Sequence, residues 1–204
     1  MMKRAFTAFL FSLFIGTTAH ASVITYDFED LALGTVPTFN EVKDGVVASF
    51  STTNPSGITV YMNSGSFLPP PFQGKAIENG TGFPINIVFS TFLDSASLDF
   101  GTNNLQFVST MVTLKAYRGG PSGALLATST AVGIASPLFP QGSISISAAE
   151  FDTLVFSGEQ PGLAMDNLRI STVPEPDSFS MLVLSGLLCA YKPAMRFVRR
   201  IRKS

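Results

Sequence analysis

Carboxylates are almost the only side chains between residues 22 and 172 that could bind an ion or catalyse a reaction. The one cysteine of the chain, Cys189, and the one histidine, His20, both lie outside this segment. Their positions exclude disulfides, thiolate or histidine-assisted nucleophiles and conventional zinc or copper sites from it. Two kinds of chemistry remain, which are acid–base catalysis by paired carboxyl groups and binding of a hard cation by oxygen.

Acidic residues occur near both ends of this segment, in the stretches DFEDL and MDNL. If the first and last strands are neighbours, Glu29 or Asp30 approaches Asp166 and forms an oxygen cage for calcium. The sequence therefore indicates a structural calcium ion with Glu29, Asp30 and Asp166 as ligands. The alternative is that the early acids, Asp27 among them, are ordinary polar residues at a strand edge, and that Asp166 and Asn167 form a turn or bulge.

The segment is acidic, with five basic and twelve acidic residues and a net charge of −7. A domain of this charge is repelled by phosphate backbones, so nucleic acid is not expected as a partner. The twelve acidic residues allow many pairs of carboxylates, and the sequence favours none of them as a catalytic pair. The G-x-S-x-G motif of serine hydrolases does not occur. We therefore predict a protein without catalytic activity, with a carboxylate-based carbohydrate-active enzyme as a weaker alternative.

The elements that must position these carboxylates are short alternating or β-rich stretches separated by turns rich in Gly, Pro and Asn. About ten such stretches at roughly ten-residue spacing, without a convincing helix, predict an all-β fold, an antiparallel β-sandwich. Only SAAEF (147–151) could form a helical turn. The predicted strands are 23–28, 45–51, 57–63, 85–90, 95–101, 106–117, 123–132, 143–147, 153–158 and 163–171.

Most phenylalanines of the segment are expected in the core, because large apolar side chains are usually buried. A few aromatic residues could instead stay exposed and stack against sugar rings, two of them beside the proline-rich stretch LPPPFQG. The candidate ligand-binding residues are Tyr61, Phe67, Phe72 and Tyr117.

The first 21 residues have the three parts of a secretory signal peptide. Lys3 and Arg4 form a positive start, and the apolar stretch that follows is shorter than the roughly 20 residues of a membrane span. A small-x-small cleavage site ends the segment, with Ala19, Ala21 and Ser22 as its residues. The mature chain is therefore expected to begin outside the cytoplasm.

The last 32 residues also have three parts, which are a Pro-Glu-Pro motif, an apolar stretch and a basic tail. The motif, Pro174, Glu175 and Pro176, favours an extended and exposed spacer. The apolar stretch (179–191) could continue to residue 198 as a transmembrane helix, and the positive-inside rule then keeps the tail cytoplasmic. The tail contains Arg196, Arg199, Arg200, Arg202 and Lys203.

This tripartite end resembles the PEP-CTERM sorting signal in composition, order and position. The resemblance implies recognition by an exosortase at the membrane, removal near the motif, and an association with exopolysaccharide and biofilm-forming Gram-negative bacteria. The preceding domain resembles the jelly-roll modules of carbohydrate-binding proteins, in which an early acid and a late Asp often hold a structural calcium. Residues 1–21 are then the signal peptide, 22–172 the β-sandwich domain and 173–204 the sorting signal.

Together these patterns predict an exported protein that is membrane-anchored through its C-terminus and then placed at the cell surface or in the extracellular matrix. Its expected partners are exosortase and the membrane during sorting, and an exopolysaccharide afterwards. Structural calcium is its only expected cofactor. A purely structural or adhesion protein with protein partners is the alternative.

Overall fold

The structure, a computed structural model, describes residues 22–63, 72, 74–79, 83–102, 109–135, 139–159 and 162–173. These residues form strands and no helix, and every strand pair is antiparallel, which confirms the all-β prediction for this part of the chain. In chain order the strands are β1 (Val23–Tyr26), β2 (Gly34–Val36), β3 (Thr38–Lys43), β4 (Val46–Thr52), β5 (Ile58–Asn63), β6 (Gly74–Asn79), β7 (Ile85–Thr102), β8 (Ser109–Arg118), β9 (Ala124–Ala135), β10 (Pro140–Gly158) and β11 (Leu163–Thr172).

Two long strands, β7 with 18 residues and β10 with 19, lie side by side and connect two halves of the sheet. The first half of β7 pairs with β4, and its second half pairs with β11. Strand β10 pairs with β9 at its start and with β8 at its end. Each long strand therefore takes the place of two shorter predicted strands.

Strand β10 is interrupted between its halves by an irregular stretch. Its register against β7 shifts between Ser147 and Phe151 and again before Thr153, and Glu150 has a φ of 53°. The predicted helical turn at 147–151 thus lies inside the strand, and that prediction is wrong. Because a bulge bends a strand and increases its twist, this one lets a single strand serve both halves.

One half of the sheet has the order β3-β4-β7-β10-β8-β9, and the other has β2-β5-β6-β11-β7-β10. Strand β1 pairs with β11, so the first and last strands are neighbours. Apolar residues of both halves form one core within the compact unit Ser22–Val173. The arrangement is a β-sandwich whose two layers share their longest strands.

The core is built from residues that alternate along the strands. Ile85, Ile87 and Phe89 in the first half of β7 are buried, and so are Leu98 and Phe100 in its second half. Alternation of this kind buries one face of each strand and leaves the other face outward. Most of the phenylalanines that the structure describes are likewise buried, as predicted.

The two ends of the chain, residues 1–21 and 174–204, lie outside the described residues. The predicted signal peptide and the predicted sorting motif, helix and basic tail fall on these ends. In the part of the chain that the structure describes, no helix has the length and apolar character needed to cross a membrane.

Candidate functional site

The acidic segment after β1 is held by a buried ring. Phe28 has a φ of 61°, in the left-handed region, although its ring is fully buried and packs edge-on against Phe50 at 5.6 Å between centroids. A bulky residue at positive φ is strained, and the burial of this ring offsets the strain. Glu29 and Asp30, which follow directly, are exposed.

Lys43, at the end of β3, is surrounded by three carboxylates. Its Nζ lies 2.8 Å from Asp30 Oδ2, 3.3 Å from Asp27 Oδ1 and 3.7 Å from Glu41 Oε1. We call Asp27, Asp30, Glu41 and Lys43 the lysine–carboxylate cluster. The hydrogen bond from Lys43 lowers the pKa of Asp30, and the same hydrogen bond raises the pKa of Lys43. The ammonium group therefore neutralises part of the acidic segment.

Glu41 is the buried member of this cluster, with 5% of its surface exposed. Burial raises its pKa to about 7, against the attraction of Lys43. Burial also raises the pKa of Tyr26 to about 12, and the negative charge of Glu41 contributes to that increase. Desolvation of the Glu41 carboxylate thus raises its pKa by more than the attraction of Lys43 lowers it. The separation of 3.7 Å between Glu41 and Lys43 is too long for a hydrogen bond.

Glu29 is engaged by a different lysine. Its Oε1 accepts a hydrogen bond from the backbone N–H of Lys75 at 2.7 Å, and Lys75 Nζ donates to the carbonyl oxygens of Glu29 and Leu31 at 2.6 and 2.7 Å. Gly74, with a φ of 73°, permits this approach, because a Cβ at that position would collide with the Glu29 carboxylate. The start of β6 therefore fastens the acidic segment to the sheet.

These contacts bear on the predicted calcium site. Glu29 and Asp30 bind different lysines, while Asp166 lies in β11 and its Oδ1 accepts the N–H of Asn167 at 2.7 Å. Asn167 has a φ of 50° and the register shifts there, so β11 contains a bulge at this point. Within the described residues no group of three or more Asp, Glu, His or Cys side chains is arranged to hold a metal ion. Calcium binding stays a prediction, and the lysine contacts do not fit it as they stand.

A second group of carboxylates lies on the outer face of the second half of the sheet. Ile77, Phe100 and Met165 point into the core, so their neighbours along each strand point to the opposite face. Strands β6, β7 and β11 each place one acid there, and β5 adds a tyrosine. We call this set the carboxylate face: Tyr61, Glu78, Asp99 and Asp166.

Asp99 and Asp166 lie directly opposite each other in the register of β7 and β11. Both are buried, with 4% and 1% of their surfaces exposed. Asp99 accepts a hydrogen bond from Ser143 Oγ at 2.6 Å and lies 3.7 Å from a guanidinium nitrogen of Arg169. Because like charges on opposite positions of paired strands repel, the two carboxylates depend on such partners to remain adjacent.

Tyr61 lies near two acids of the carboxylate face, Glu78 and Asp166. Burial raises the pKa of its hydroxyl, and the negative charges of Glu78 and Asp166 raise it further. Its ring packs against a small outer hydrophobic cluster, separate from the main core, that consists of Phe72, Ala76, Phe139 and Ala164. An aromatic ring beside carboxylate acceptors can stack on the apolar side of a sugar while the acids accept its hydroxyl protons.

The four aromatic residues predicted to bind ligand lie in different environments. Tyr61 belongs to the carboxylate face, whereas Phe72 is fully buried in the outer cluster and offers no exposed ring face. Tyr117 is part-buried on the outer face of the other half, opposite Thr153. Phe67 lies outside the described residues. Tyr61 and Tyr117 therefore face different sides of the sandwich and cannot share one stacking platform.

The sequence predicts Asp166 as a site residue, but it does not predict Glu78, Asp99 or the buried Glu41. A signal for Asp99 was present, because in SASLDFG it alternates with core residues and so has to face outward. No local signal marks its position opposite Asp166. The two residues are far apart in sequence and meet only through the pairing of β7 with β11.

Comparison with protein-family models and comparison with curated protein sequences each found no match. Among solved structures, the K1 cleaved adhesin domain of Lys-gingipain from Porphyromonas gingivalis is similar, with a TM-score of 0.46 at 9% identity, covering 74% of this chain and 99% of that one. A mannan-recognising carbohydrate-binding module matches with a TM-score of 0.42 at 10% identity, covering 75% and 99%. A module from Clostridium stercorarium in complex with cellobiose matches with a TM-score of 0.38 at 18% identity, covering 60% and 87%. Because these TM-scores are below 0.5, function has to be inferred from the residues of this chain.

Proposed function

We propose that this chain is an exported protein that binds a polysaccharide, without catalysis, at the cell surface or in the extracellular matrix. The observation that carries the proposal is the carboxylate face, where one tyrosine and three acids share an outer sheet face. Ligand sites of proteins typically combine an apolar or aromatic surface with a few placed polar groups. Sugars match this combination because each ring has an apolar side and a rim of hydroxyls.

The four residues of the carboxylate face would act on a ligand in two different ways, by direct contact and through their charge. Tyr61 and Glu78 keep part of their surface exposed, so a ligand can reach them directly. Asp99 and Asp166 are buried and act indirectly, by making the face negative. Asp99 accepts a hydrogen bond from Ser143 and lies beside Arg169, so its carboxylate is held in place by groups of the protein.

The net charge of the domain indicates which class of polysaccharide it can bind. The domain has a net charge of −7, and most of its basic side chains are occupied in contacts with acids or carbonyl oxygens: Lys43, Lys75, Arg118 and Arg169. Polymers rich in uronic acid or sulfate would be repelled by such a domain. Neutral polysaccharides and those with free amino groups are therefore the expected ligands.

A glycan array probed with residues 22–173 tests the proposal. Binding to neutral or amino-bearing glycans without release of products is the expected result. Glu78→Gln should weaken that binding about tenfold or more, because a charged acceptor is worth roughly 1.5–3 kcal/mol. Asp44→Asn is the matched control, since Asp44 lies in a turn at φ 50°, a conformation that Asn also adopts. Equal losses in both variants would contradict a role for the carboxylate face.

The same array separates the alternatives. The absence of binding to every glycan would favour a structural or adhesion protein with protein partners. Release of shortened sugars would favour a carboxylate-based enzyme.

The route to the surface is a second part of the proposal, and it is based on the two ends of the chain. A signal peptide cut between Ala21 and Ser22 and an exosortase acting near Pro174, Glu175 and Pro176 would deliver the domain across the inner membrane. The intact mass of the protein recovered from its host reports both cleavages at once. A full-length chain in the soluble cell interior would overturn this route.

A further inference from the structure

Lys115, in β8, differs from the other basic residues of the segment between residues 22 and 172. The other four each contact an acid or a carbonyl oxygen: Lys43, Lys75, Arg118 and Arg169. Lys115 makes no ion pair and no hydrogen bond with any residue that the structure describes. Its side chain is part-buried, so the sheet covers some of its stem while the three donors of the ammonium group stay unused by the protein.

The outer face around Lys115 is uncharged. Its two neighbours in β8 are core residues, so Lys115 points away from the core, as does Tyr117 two positions later. Strand pairing extends each of these two residues into a row across β4, β7, β10, β8 and β9. In strand order the rows are Ser51, Asn86, Val155, Lys115 and Thr128, and Ser49, Val88, Thr153, Tyr117 and Leu125. Neither row contains an acid.

The acids beyond these rows have other partners or lie far from Lys115. The Asp152 carboxylate accepts backbone N–H groups of the turn after β8 at 3.0 Å, and Glu150 pairs with Arg118 at 3.0 Å. Glu159 lies beside the residue four positions before Lys115, about 13 Å along the strand. Charges more than about 8 Å apart are largely screened at physiological ionic strength. The net charge of −7 therefore does not prevent a single anionic group from binding at Lys115.

Tyr117 adds an aromatic ring to the same face. Its Cα lies about 7 Å from that of Lys115, because the two residues are two positions apart on one strand. Thr153, directly opposite Tyr117, is fully buried although it points to the outer face. A tyrosine ring that lies flat across Thr153 accounts for this burial and turns its other side outward. The face thus combines a ring for stacking with a cation that has no partner.

We propose that Lys115 and Tyr117 form a second ligand site, which binds a sugar residue with one carboxylate, such as a uronic acid, in a polysaccharide that is otherwise neutral. The sugar ring stacks on Tyr117 while its carboxylate pairs with the Lys115 ammonium group. Charge selects this occupant, because a neutral sugar leaves the ammonium group unpaired, whereas a dense polyanion is repelled by the domain. The inference extends the proposed function to a second sugar, on the side of the sandwich opposite the carboxylate face.

Two methyl glycosides that differ in one group test this site. Methyl β-glucuronide has a carboxylate where methyl β-glucoside has a hydroxymethyl group. Saturation-transfer NMR measures both Kd values on the full chain, held in a detergent without a sugar headgroup. The glucuronide should bind about tenfold more tightly, because its carboxylate forms a charge-assisted hydrogen bond with Lys115. Without such a site, the net charge of −7 predicts the opposite order. Equal binding, tighter binding of the glucoside or no binding of either would overturn the proposal.

Variants of the two residues identify the groups responsible. Lys115→Met keeps an unbranched side chain without the charge and should abolish the preference for the glucuronide, whereas Lys115→Arg should retain it. Tyr117→Leu should weaken the binding of both glycosides by a similar factor, since both stack on the ring. Both positions are only part-buried, so each variant should fold, and its Tm checks this. A preference that survives Lys115→Met would contradict the assignment.

This site and the carboxylate face can fail separately. Loss of the glucuronide preference, with glycan-array binding that still depends on Glu78, would remove the Lys115 site alone. A glucuronide preference that depends on Lys115, with an array signal that ignores Glu78, would remove the carboxylate face alone.

Discussion

Replacing Glu41 with Gln is expected to stabilise the domain at neutral and alkaline pH and to have much less effect at acid pH. The reason is the burial of its carboxylate, which raises the pKa from an ordinary value of 4.5 to about 7. Below pH 4.5 the group is protonated in both the folded and the unfolded chain. Between pH 4.5 and 7 the unfolded chain ionises it first, so stability falls as pH rises, and above pH 7 the loss is complete.

The size of the loss follows from the pKa displacement. Each unit corresponds to about 1.4 kcal/mol, so a displacement of some 2.5 units is worth about 3 kcal/mol of unfolding free energy. Lys43, at 3.7 Å, opposes the increase and is already included in it. Gln has a similar shape and no charge. The stability of Glu41→Gln minus that of the unaltered domain should therefore increase by up to about 3 kcal/mol between pH 4.5 and 8.

Urea unfolding of residues 22–173 at several pH values measures this difference. Glu159→Gln is the matched control, because the Glu159 side chain is exposed to water in the folded domain, so folding does not bury its carboxylate. A difference for Glu41→Gln that stays flat with pH would refute the reasoning. A decrease with rising pH would show that the attraction of Lys43 exceeds the cost of burial.

Three further predictions concern stability. Gly74→Ala should destabilise the domain more than Gly45→Ala in thermal unfolding, because both glycines have φ near 75° but only at Gly74 does a Cβ meet the Glu29 carboxylate; equal losses would contradict a tight contact there. Phe156→Ala should cost about 3–5 kcal/mol in urea unfolding, since its ring is fully buried in the shared core, and a loss below 1 kcal/mol would argue against that packing. If calcium is structural, EDTA should lower the Tm of metal-loaded protein, and an unchanged Tm would remove the calcium prediction.

Local patterns in the sequence predicted the parts of the fold that depend on local energies. Alternation in INIVFS and SASLDFG predicted both the strands and their inward residues, because burial on one sheet face requires a period of two. Strands β2, β3 and β6 were missed. Their stretches, GTV, TFNEVK and GKAIEN, are short or polar and are strands through their neighbours in the sheet more than through their own propensity.

The sequence alone determined the class of the fold, the charge of the domain and the absence of cysteine and histidine from it, because these depend on composition and on near neighbours. The tertiary structure decided which charged side chains lie close together. It places Asp99 opposite Asp166 and buries Glu41. It also brings Glu29 and Asp30 into hydrogen-bonding contact with different lysines. The energy of a carboxylate depends on its solvent access and on charges within a few ångströms. Those neighbours come from distant parts of the chain, and only strand pairing brings them together.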